Sequence, residues 1–558
     1  MGRTMGLRGL FFNLAVFACC LAFFLPAGYG WELADEVRGH LRIRVDSADT
    51  ATQLVVAGEL ILAPESVAGF YKNRAFRPAW MNGKTPSPLA DALVAALKQA
   101  DDEGLDPRNY HLERLEAMLA EAWRQPLRPA MLANLDIILT DAYLLYASHL
   151  FSGQVSPETL GTEWYLRRPD ADLTAILRKA LKSGNIEESL NSLLPADPGY
   201  GRLKEALRHY REIRASGGWP AISEGPMLRL GDTGPRVTEL RARLAAGGDV
   251  VSGIAEVEGV FDEEVEQAVI RFQQSHGLDA DGAVGEQTLA ALNVPAEERE
   301  KQILVNLERL RWLPADLGNR HIMVNVAGFS LHVIEGGETL TGMRAIVGRP
   351  YRQTPSFSGK LTHLVFSPYW HIPHSIAVKD LLPKIQKDRR FLAREKIRVF
   401  RGRGKAERPV NPTKIKWQQL SENNFPYHLR QDPGPLNSLG RVKFMLPNSF
   451  NVYIHDTPSR ELFEKAVRGF SSGCIRIDSP VELAEYLLRD DPAWTTETIL
   501  EAMEQPRERT VRLPRPIPVH FLYMTAWVDT EGVLQFRDDI YSRDTLVADA
   551  LEAAPPSR

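Results

Sequence analysis

Tyr453-Ile454-His455-Asp456-Thr457-Pro458 and, shortly after it, Phe470-Ser471-Ser472-Gly473-Cys474-Ile475-Arg476-Ile477 are the stretches on which the fold turns. From Asn451 to His455 the pattern alternates as a strand. Val452 and Ile454 share one face, Tyr453 and His455 the other. Thr457-Pro458 suits a helix start, with threonine as cap and proline in the first turn. That helix is expected to run to Gly469, a residue suited to a stop. Ser479-Pro480-Val481-Glu482 reads as a capping box opening a further helix. Cys474 is thus expected on a short segment between two helices. A strand, a helical crossover and a return would bring it back beside His455.

The pairing is chemically useful. A free thiol with a pKa near ~8.5 is only a few per cent thiolate at neutral pH. An adjacent imidazole can take the proton and hold the anion as an ion pair, and His455 is the candidate. The amides of Ser472, Gly473 and Cys474 could face a developing oxyanion, and Gly473 allows close backbone approach. Arg476 would share the face of Cys474, placed to hold an anionic substrate group or to support the turn.

The chain has 3 cysteines: Cys19, Cys20 and Cys474. The first two sit in an apolar run from Leu10 to Leu25, preceded by Arg3 and Arg8 and followed by Pro26-Ala27-Gly28-Tyr29-Gly30. This is the layout of a secretory signal over residues 1–30, with an uncleaved membrane anchor through residues 10–25 as the alternative. After cleavage one cysteine remains, which excludes an internal disulfide. A lone thiol in an oxidising compartment is a liability. The bland reading is a small buried hydrophobe; the sharper one is a nucleophile.

Outward from this core, Ile322, Val324 and Val326 alternate with polar neighbours. Phe329, Leu331 and Val333 continue as a second strand after Ala327-Gly328. Alternation recurs through Leu364–Phe366. The charged stretch 377–440, with Arg389-Arg390 and Arg401–Lys405, interrupts the pattern and is expected to be a lid insertion or a solvated excursion. Upstream, residues 31–225 read as helical: Leu89, Leu93 and Leu97, and Leu135, Ile138, Leu139 and Ala142, fall at helical spacing. A linker of Gly217-Gly218-Trp219-Pro220 and Glu224-Gly225-Pro226 precedes a compact unit ending near Val294. A connecting helix over 295–318 leads into a mainly β domain at 319–545, and residues 546–558 are expected to form a loose tail. The 558 residues allow about three domains at ~100–200 residues each. A net charge of −4 gives no basic field for nucleic acid.

Two resemblances follow. Leu230-Gly231-Asp232-Thr233-Gly234, Gly259-Val260-Phe261-Asp262, Ala268-Val269 with Phe272-Gln273, and Asp281-Gly282-Ala283-Val284-Gly285 resemble, in order, a three-helix peptidoglycan-binding domain over residues 226–294. A helical spacer that binds nothing is the bland alternative. The stretch from His455 through Ser471, Ser472, Gly473, Cys474, Ile475 and Arg476 resembles the catalytic motif of the L,D-transpeptidases, the YkuD type. Gln431–Gly440, Phe444, Pro447-Asn448 and Pro368–Ile376 also look like that family. The chain is most similar to its large periplasmic Gram-negative type. Many members carry histidine where this chain has Ser472, which places more weight on His455.

The resemblance implies a multidomain α+β protein, with a helical scaffold, the binding domain and a mainly β catalytic domain. It implies a periplasmic acyltransferase of cell wall biogenesis, needing no cofactor and no metal. Cys474 would attack a diaminopimelate carbonyl of a tetrapeptide stem, release D-alanine and pass the acyl group to an amine of a second stem. Carbapenems would acylate the same thiol. Tyr453, Ser471, Arg476 and Trp370 are the expected substrate-binding residues, and Ser472 and Gly473 the backbone oxyanion donors. Water, a free D-amino acid or a lipoprotein lysine are alternative acceptors on the same site, and a non-catalytic wall-binding scaffold is the alternative from another class. Gly469-Phe470-Ser471-Ser472-Gly473 also fits the G-x-S-x-G elbow of serine hydrolases, but only His520 follows it and the strand–elbow–helix context is absent. His371 and His374, with Pro373 between them, lack the companions a metal site needs.

Overall fold

The computed structural model describes residues 28–48, 53–248, 259–402 and 404–553. The N-terminal apolar run with Cys19 and Cys20 lies outside the described residues, as does the chain beyond residue 553. Two compact units emerge. One takes in the chain up to Phe151 together with Ala171–Leu194; the other comprises Ser152–Asp170 and Pro195–Ala553.

The first unit is helical, apart from two small hairpins at Val55–Leu60 and Met81–Pro86. Its centre is the helix Pro129–Ser152. That helix is long and apolar enough to cross a membrane, but most of it is buried inside the protein. A helix apolar all round is what the middle of a helical core requires. Two carboxylates on it are fully buried and satisfied. Asp136 accepts from the Ala79 and Trp80 amides and from the Tyr71 hydroxyl. Asp141 accepts from the Leu62 and Ala63 amides and faces His111 Nε2 at 2.8 Å.

The second unit opens with the helix Pro198–Ala215, which falls within the 31–225 stretch expected as scaffold. Arg211 and Arg214 on it pair with Glu300, and its Tyr200 hydroxyl accepts from Arg311. Glu300 and Arg311 lie on the connecting helix, Ala296–Arg311. Three helices, Pro235–Ala246, Glu263–Ser275 and Glu286–Leu292, enclose a small core of Val237, Leu240, Phe261, Phe272 and Leu292. Buried Gln273 knits that unit together. Its amide donates to Asp281, Ala283 O and Thr288, and accepts from the amide of Gly282, whose φ of +73° suits glycine.

The β domain contains β1 (Arg320–Asn325), β2 (Ser330–Glu335), β3 (Glu338–Gly348), β4 (Phe357–Phe366), β5 (Trp370–Ile372), β6 (Ile397–Arg401), β7 (Arg408–Val410), β8 (Tyr427–Gln431), β9 (Val442–Met445), β10 (Ile454–His455), β11 (Gly469–Ser471), β12 (Ile475–Ile477) and β13 (Arg509–Leu522). The large sheet runs β11-β3-β12-β10-β9-β4-β13-β1-β2, and β2 pairs again with β3. The sheet therefore closes like a barrel, which leaves few unpaired edges. Its inside is a core of Ile322, Leu331, Leu364, Phe444, Ile454, Ile475 and Phe521.

The expected insertion is a folded subdomain. β7-β6-β8-β5 form a second sheet over a core that includes Leu382, Ile385, Val399, Trp417 and Leu429. It begins at β5, earlier than residue 377. The expected crossover helix does not form: only Arg460–Glu464 makes a short 3-10 turn, and Gly469–Ser471 is instead a strand on β3. The stretch has one buried anchor, Phe463, and sheet pairing outweighs helix propensity. The helix Pro480–Leu488 is present without its capping box, because Ser479 turns its hydroxyl to Asp478 and Glu482 engages Thr341. The expected loose tail is ordered up to Glu552 as the helix Asp544–Glu552, tied down by Asp544 to Arg309 and Thr525.

Candidate active site

β10 and β12 are parallel neighbours, pairing Ile454 with Ile475 and His455 with Arg476. Ile454 and Ile475 point into the barrel core, so His455 and Arg476 take the opposite face. Cys474 lies immediately before β12, half-exposed, and shares that face with Arg476. It sits between two strands rather than between two helices.

The turn carrying Cys474 is fixed from within. The buried Ser471 hydroxyl donates to Cys474 O at 2.6 Å and accepts from the Gly473 amide at 3.0 Å. Gly473 has φ +111°, a conformation that excludes most side chains. Its carbonyl accepts from Thr354 Oγ1 at 2.9 Å. Two consequences follow. The Gly473 N–H is already used, so it is not the oxyanion donor expected from sequence. Among the described residues, the amides of Ser472 and Cys474 have no protein acceptor and remain available. Ser471 is also a buried structural hydroxyl, which removes the serine-elbow reading.

His455 is 4% exposed and donates Nδ1–H to Asp456 O at 2.6 Å. A carbonyl can only accept, so the neutral ring keeps its lone pair on Nε2. Burial, then Arg476 and Lys443, push His455 down to about 3. The imidazole is therefore neutral at physiological pH. Burial pushes the Cys474 thiol up, opposed by the Tyr453 amide and hydroxyl and by the charges of Arg476 and Lys443. A resting thiolate–imidazolium pair, as expected from sequence, does not fit these environments. Among the described residues no hydrogen bond joins the two side chains; the thiol reaches Asn451 O at 3.7 Å and is met by the Tyr453 amide and hydroxyl. The arrangement is one of a protonated thiol, a neutral base and flanking cations.

The other expected residues gather here. The Tyr453 ring lies 5.6 Å from that of His455, and its hydroxyl faces both the Cys474 sulfur and the Trp370 indole. Trp370 comes from β5 of the insertion. Arg476 is half-buried, and its buried Nε has no hydrogen-bond partner among the described residues. Ser472 is exposed and accepts from Arg352 Nη1 at 2.8 Å. Sequence reading missed Arg352 and Lys443. Lys443 on β9 pairs directly with His455, and its ammonium lies 5.3 Å from the Tyr453 ring centroid. The alternation of Val442 and Phe444 into the core could have placed Lys443 on the site face. No group of ligating residues suited to a metal ion occurs among the described residues.

Comparison with known proteins gives matches to three domain families. Residues 319–495 match the family described as "L,D-transpeptidase catalytic domain", residues 233–292 "Putative peptidoglycan binding domain" and residues 65–207 "Scaffold domain". The chain is 32% identical over 244 residues to "Putative L,D-transpeptidase" of Haemophilus influenzae, covering 44% of this chain and 48% of that protein. It is 42% identical over 80 residues to the N-acetylmuramoyl-L-alanine amidase CwlM of Mycobacterium tuberculosis, covering 13% and 20%. The chain thus spans about half the length of the first and a fifth of the second. Among solved structures, an L,D-transpeptidase from Xylanimonas cellulosilytica aligns at 15% identity and a TM-score of 0.17, covering 54% of this chain and 100% of that one.

Proposed function

We propose that this chain, which carries an L,D-transpeptidase catalytic domain beside a peptidoglycan-binding domain and a scaffold domain, forms diaminopimelate-to-diaminopimelate cross-links in peptidoglycan through an acyl-enzyme on Cys474. The observation that carries this reading is Cys474 in a rigid turn, on the same sheet face as a neutral, acceptor-bearing His455.

The steps are those the geometry can support. Substrate binding brings a donor carbonyl against Sγ. His455 Nε2 takes the thiol proton as the C–S bond forms, and the carbonyl oxygen becomes an oxyanion facing the free amides of Ser472 and Cys474. Collapse breaks the bond to D-alanine, which leaves as an amine with the proton from His455. A thioester remains. An acceptor amine then loses a proton to His455, attacks the thioester, and the released thiolate regains that proton. Amide becomes thioester and then amide again, so no external energy source is needed. The neutral state of His455 suits this role, because an imidazolium could not accept the first proton.

Arg476, with its unpartnered Nε, and Lys443 give the cleft a positive character suited to the carboxylates of peptide stems. Trp370 and Tyr453 form a wall against which a stem can lie. The N-terminal apolar run supports export to the periplasm, and the domain at 226–294 supports retention on the wall. The test is mass analysis of products formed from disaccharide-tetrapeptide with an amine acceptor. Loss of D-alanine and a new cross-linked product, both abolished in Cys474→Ala, are expected. Release unchanged by that substitution would sink the reading.

A further inference from the structure

The insertion reaches the catalytic turn at two points. One is Trp370, through Tyr453. The other runs through a residue of the loop after β3. Arg352 makes a two-point ion pair with Asp380, Nη1 to Oδ2 at 2.5 Å and Nη2 to Oδ1 at 3.1 Å. Its Nη1 also donates to Ser472 Oγ at 2.8 Å. Asp380 lies in the insertion, within a wide π-type turn at Ala377–Leu381. Such turns interrupt regular helix and are frequent where function constrains the backbone.

Arg352 is therefore bonded at once to the insertion and to the residue two before the nucleophile. The pair is well shielded, with side chains 17% and 29% exposed. A planar guanidinium gripping a carboxylate at two points fixes orientation as well as distance. The same loop supports the turn independently, since Thr354 donates to Gly473 O and accepts from the Gly348 amide. Removing Arg352 would leave Gly473 and Ser471 in place while freeing Ser472 from the insertion.

We propose that Arg352 is a positioning residue that couples the seat of the insertion to the Ser472–Cys474 turn, through Asp380 on one side and Ser472 on the other. Its effect falls on the amides of Ser472 and Cys474, the two left free for an oxyanion. Donors that act on charge developed in the transition state govern kcat rather than substrate affinity. This proposal rests on the acyl-transfer reading for its kinetic test, but not for its chemical one.

The experiment uses the full chain and four proteins: Arg352→Met, Asp380→Asn, the exchange Arg352→Asp with Asp380→Arg, and the unaltered protein. The exchange restores the ion pair between the loop after β3 and the insertion with its charges reversed. D-alanine release is expected to lose about tenfold in kcat in either single variant, with KM within about twofold, a size typical of misplaced catalytic groups. The exchange is expected to recover most of that loss. Iodoacetamide labelling of Cys474 supplies a readout that needs no substrate. It is expected to quicken about threefold in the single variants, as the insertion is released, and to return toward the original rate in the exchange. Thermal unfolding of all four separates this from general damage.

Single variants that match the original protein in both readouts, or an exchange no better than either single variant, would overturn the coupling. If Arg352→Met does not fold, Asp380→Asn and the exchange still decide it. If the labelling pattern holds while the unaltered protein releases no D-alanine, the coupling stands and the transpeptidase reading falls.

Discussion

His455 donates its Nδ1–H to the carbonyl of Asp456, its own neighbour in the chain, across 2.6 Å. That contact selects the tautomer, and burial beside Arg476 and Lys443 keeps the ring neutral. A base held ready to accept a proton, on a strand beside the one that follows a thiol shifted toward its protonated form by burial, suits general-base chemistry rather than a preformed ion pair.

The first prediction concerns pH. Alkylation of Cys474 without substrate is expected to keep rising past the ordinary thiol range, because the thiol is shifted upward. Turnover is expected to fall on the acid side only as His455 protonates, near its value of about 3 in the free protein. A labelling profile already flat from pH 5 upward would contradict the protonated-thiol arrangement.

The second concerns Lys443. Its ammonium opposes the rise of the Cys474 thiol, and Lys443 stands directly across from His455. Lys443→Met is expected to move the labelling profile to higher pH and to lower turnover at neutral pH. Lys443→Arg, which keeps the charge, is expected to restore most of the profile. Steady-state rates with a labelling series across pH 6–10 check both.

The third follows from linkage. His455 is depressed on folding, so its contribution to stability is fully present above its unfolded value of 6.5 and is lost as pH falls from there toward about 3. The second unit is expected to melt at progressively lower temperature through that window. His455→Gln, which cannot bind the proton, is expected to show a shallower acid decline in calorimetry.

The fourth has the opposite sign. His111 bridges Glu59 and Asp141 and its folded value is raised: burial acts downward, and the two carboxylates outweigh it. Its stabilisation is present below the ordinary histidine range and is lost as pH rises through the elevated folded value. Hydrogen exchange of the first unit is expected to quicken across that upper window. His111→Gln is expected to remove the pH dependence.

The fifth tests the three-helix unit. Gln273→Ala strips partners from Asp281, Thr288 and the Gly282 amide in a buried setting. A cost of about 1–3 kcal/mol is expected, the usual penalty for stranded buried polar groups. Limited proteolysis, with cleavage appearing at residues 277–285, would locate the loss.

Much of this was legible in sequence because local chemistry carried it. The order Phe272-Gln273 and Asp281–Gly285 was readable, and Gln273 shows why those pieces travel together. The strand expected from Asn451 to His455 forms only at Ile454–His455, because Asn451 takes a left-handed turn, yet the Tyr453 and His455 rings still meet. Where long-range pairing decided, sequence reading failed. Gly469–Ser471 became a strand because β3 offered an edge, and no local signal in Arg460–Arg468 foretold it. The Gly473 amide was lost to Ser471 through a side-chain bond that spacing does not reveal. Arg352 was invisible because its two partners lie 28 and 120 residues away in sequence.

The closed sheet has a bearing on the order of assembly. β1 lies parallel to β13, with Ile322 opposite Val519, and β13 also lines β4. A ribosome delivers β1 roughly two hundred residues ahead of its partner, and distant pairings of this kind are slow to form. His455 and Cys474 both emerge before the strand that closes their frame. A polypeptide stopped short of Leu522 would hold every reactive group of the cleft while lacking the ring that aligns them, so the thiol acquires its surroundings only once synthesis of the domain is nearly finished.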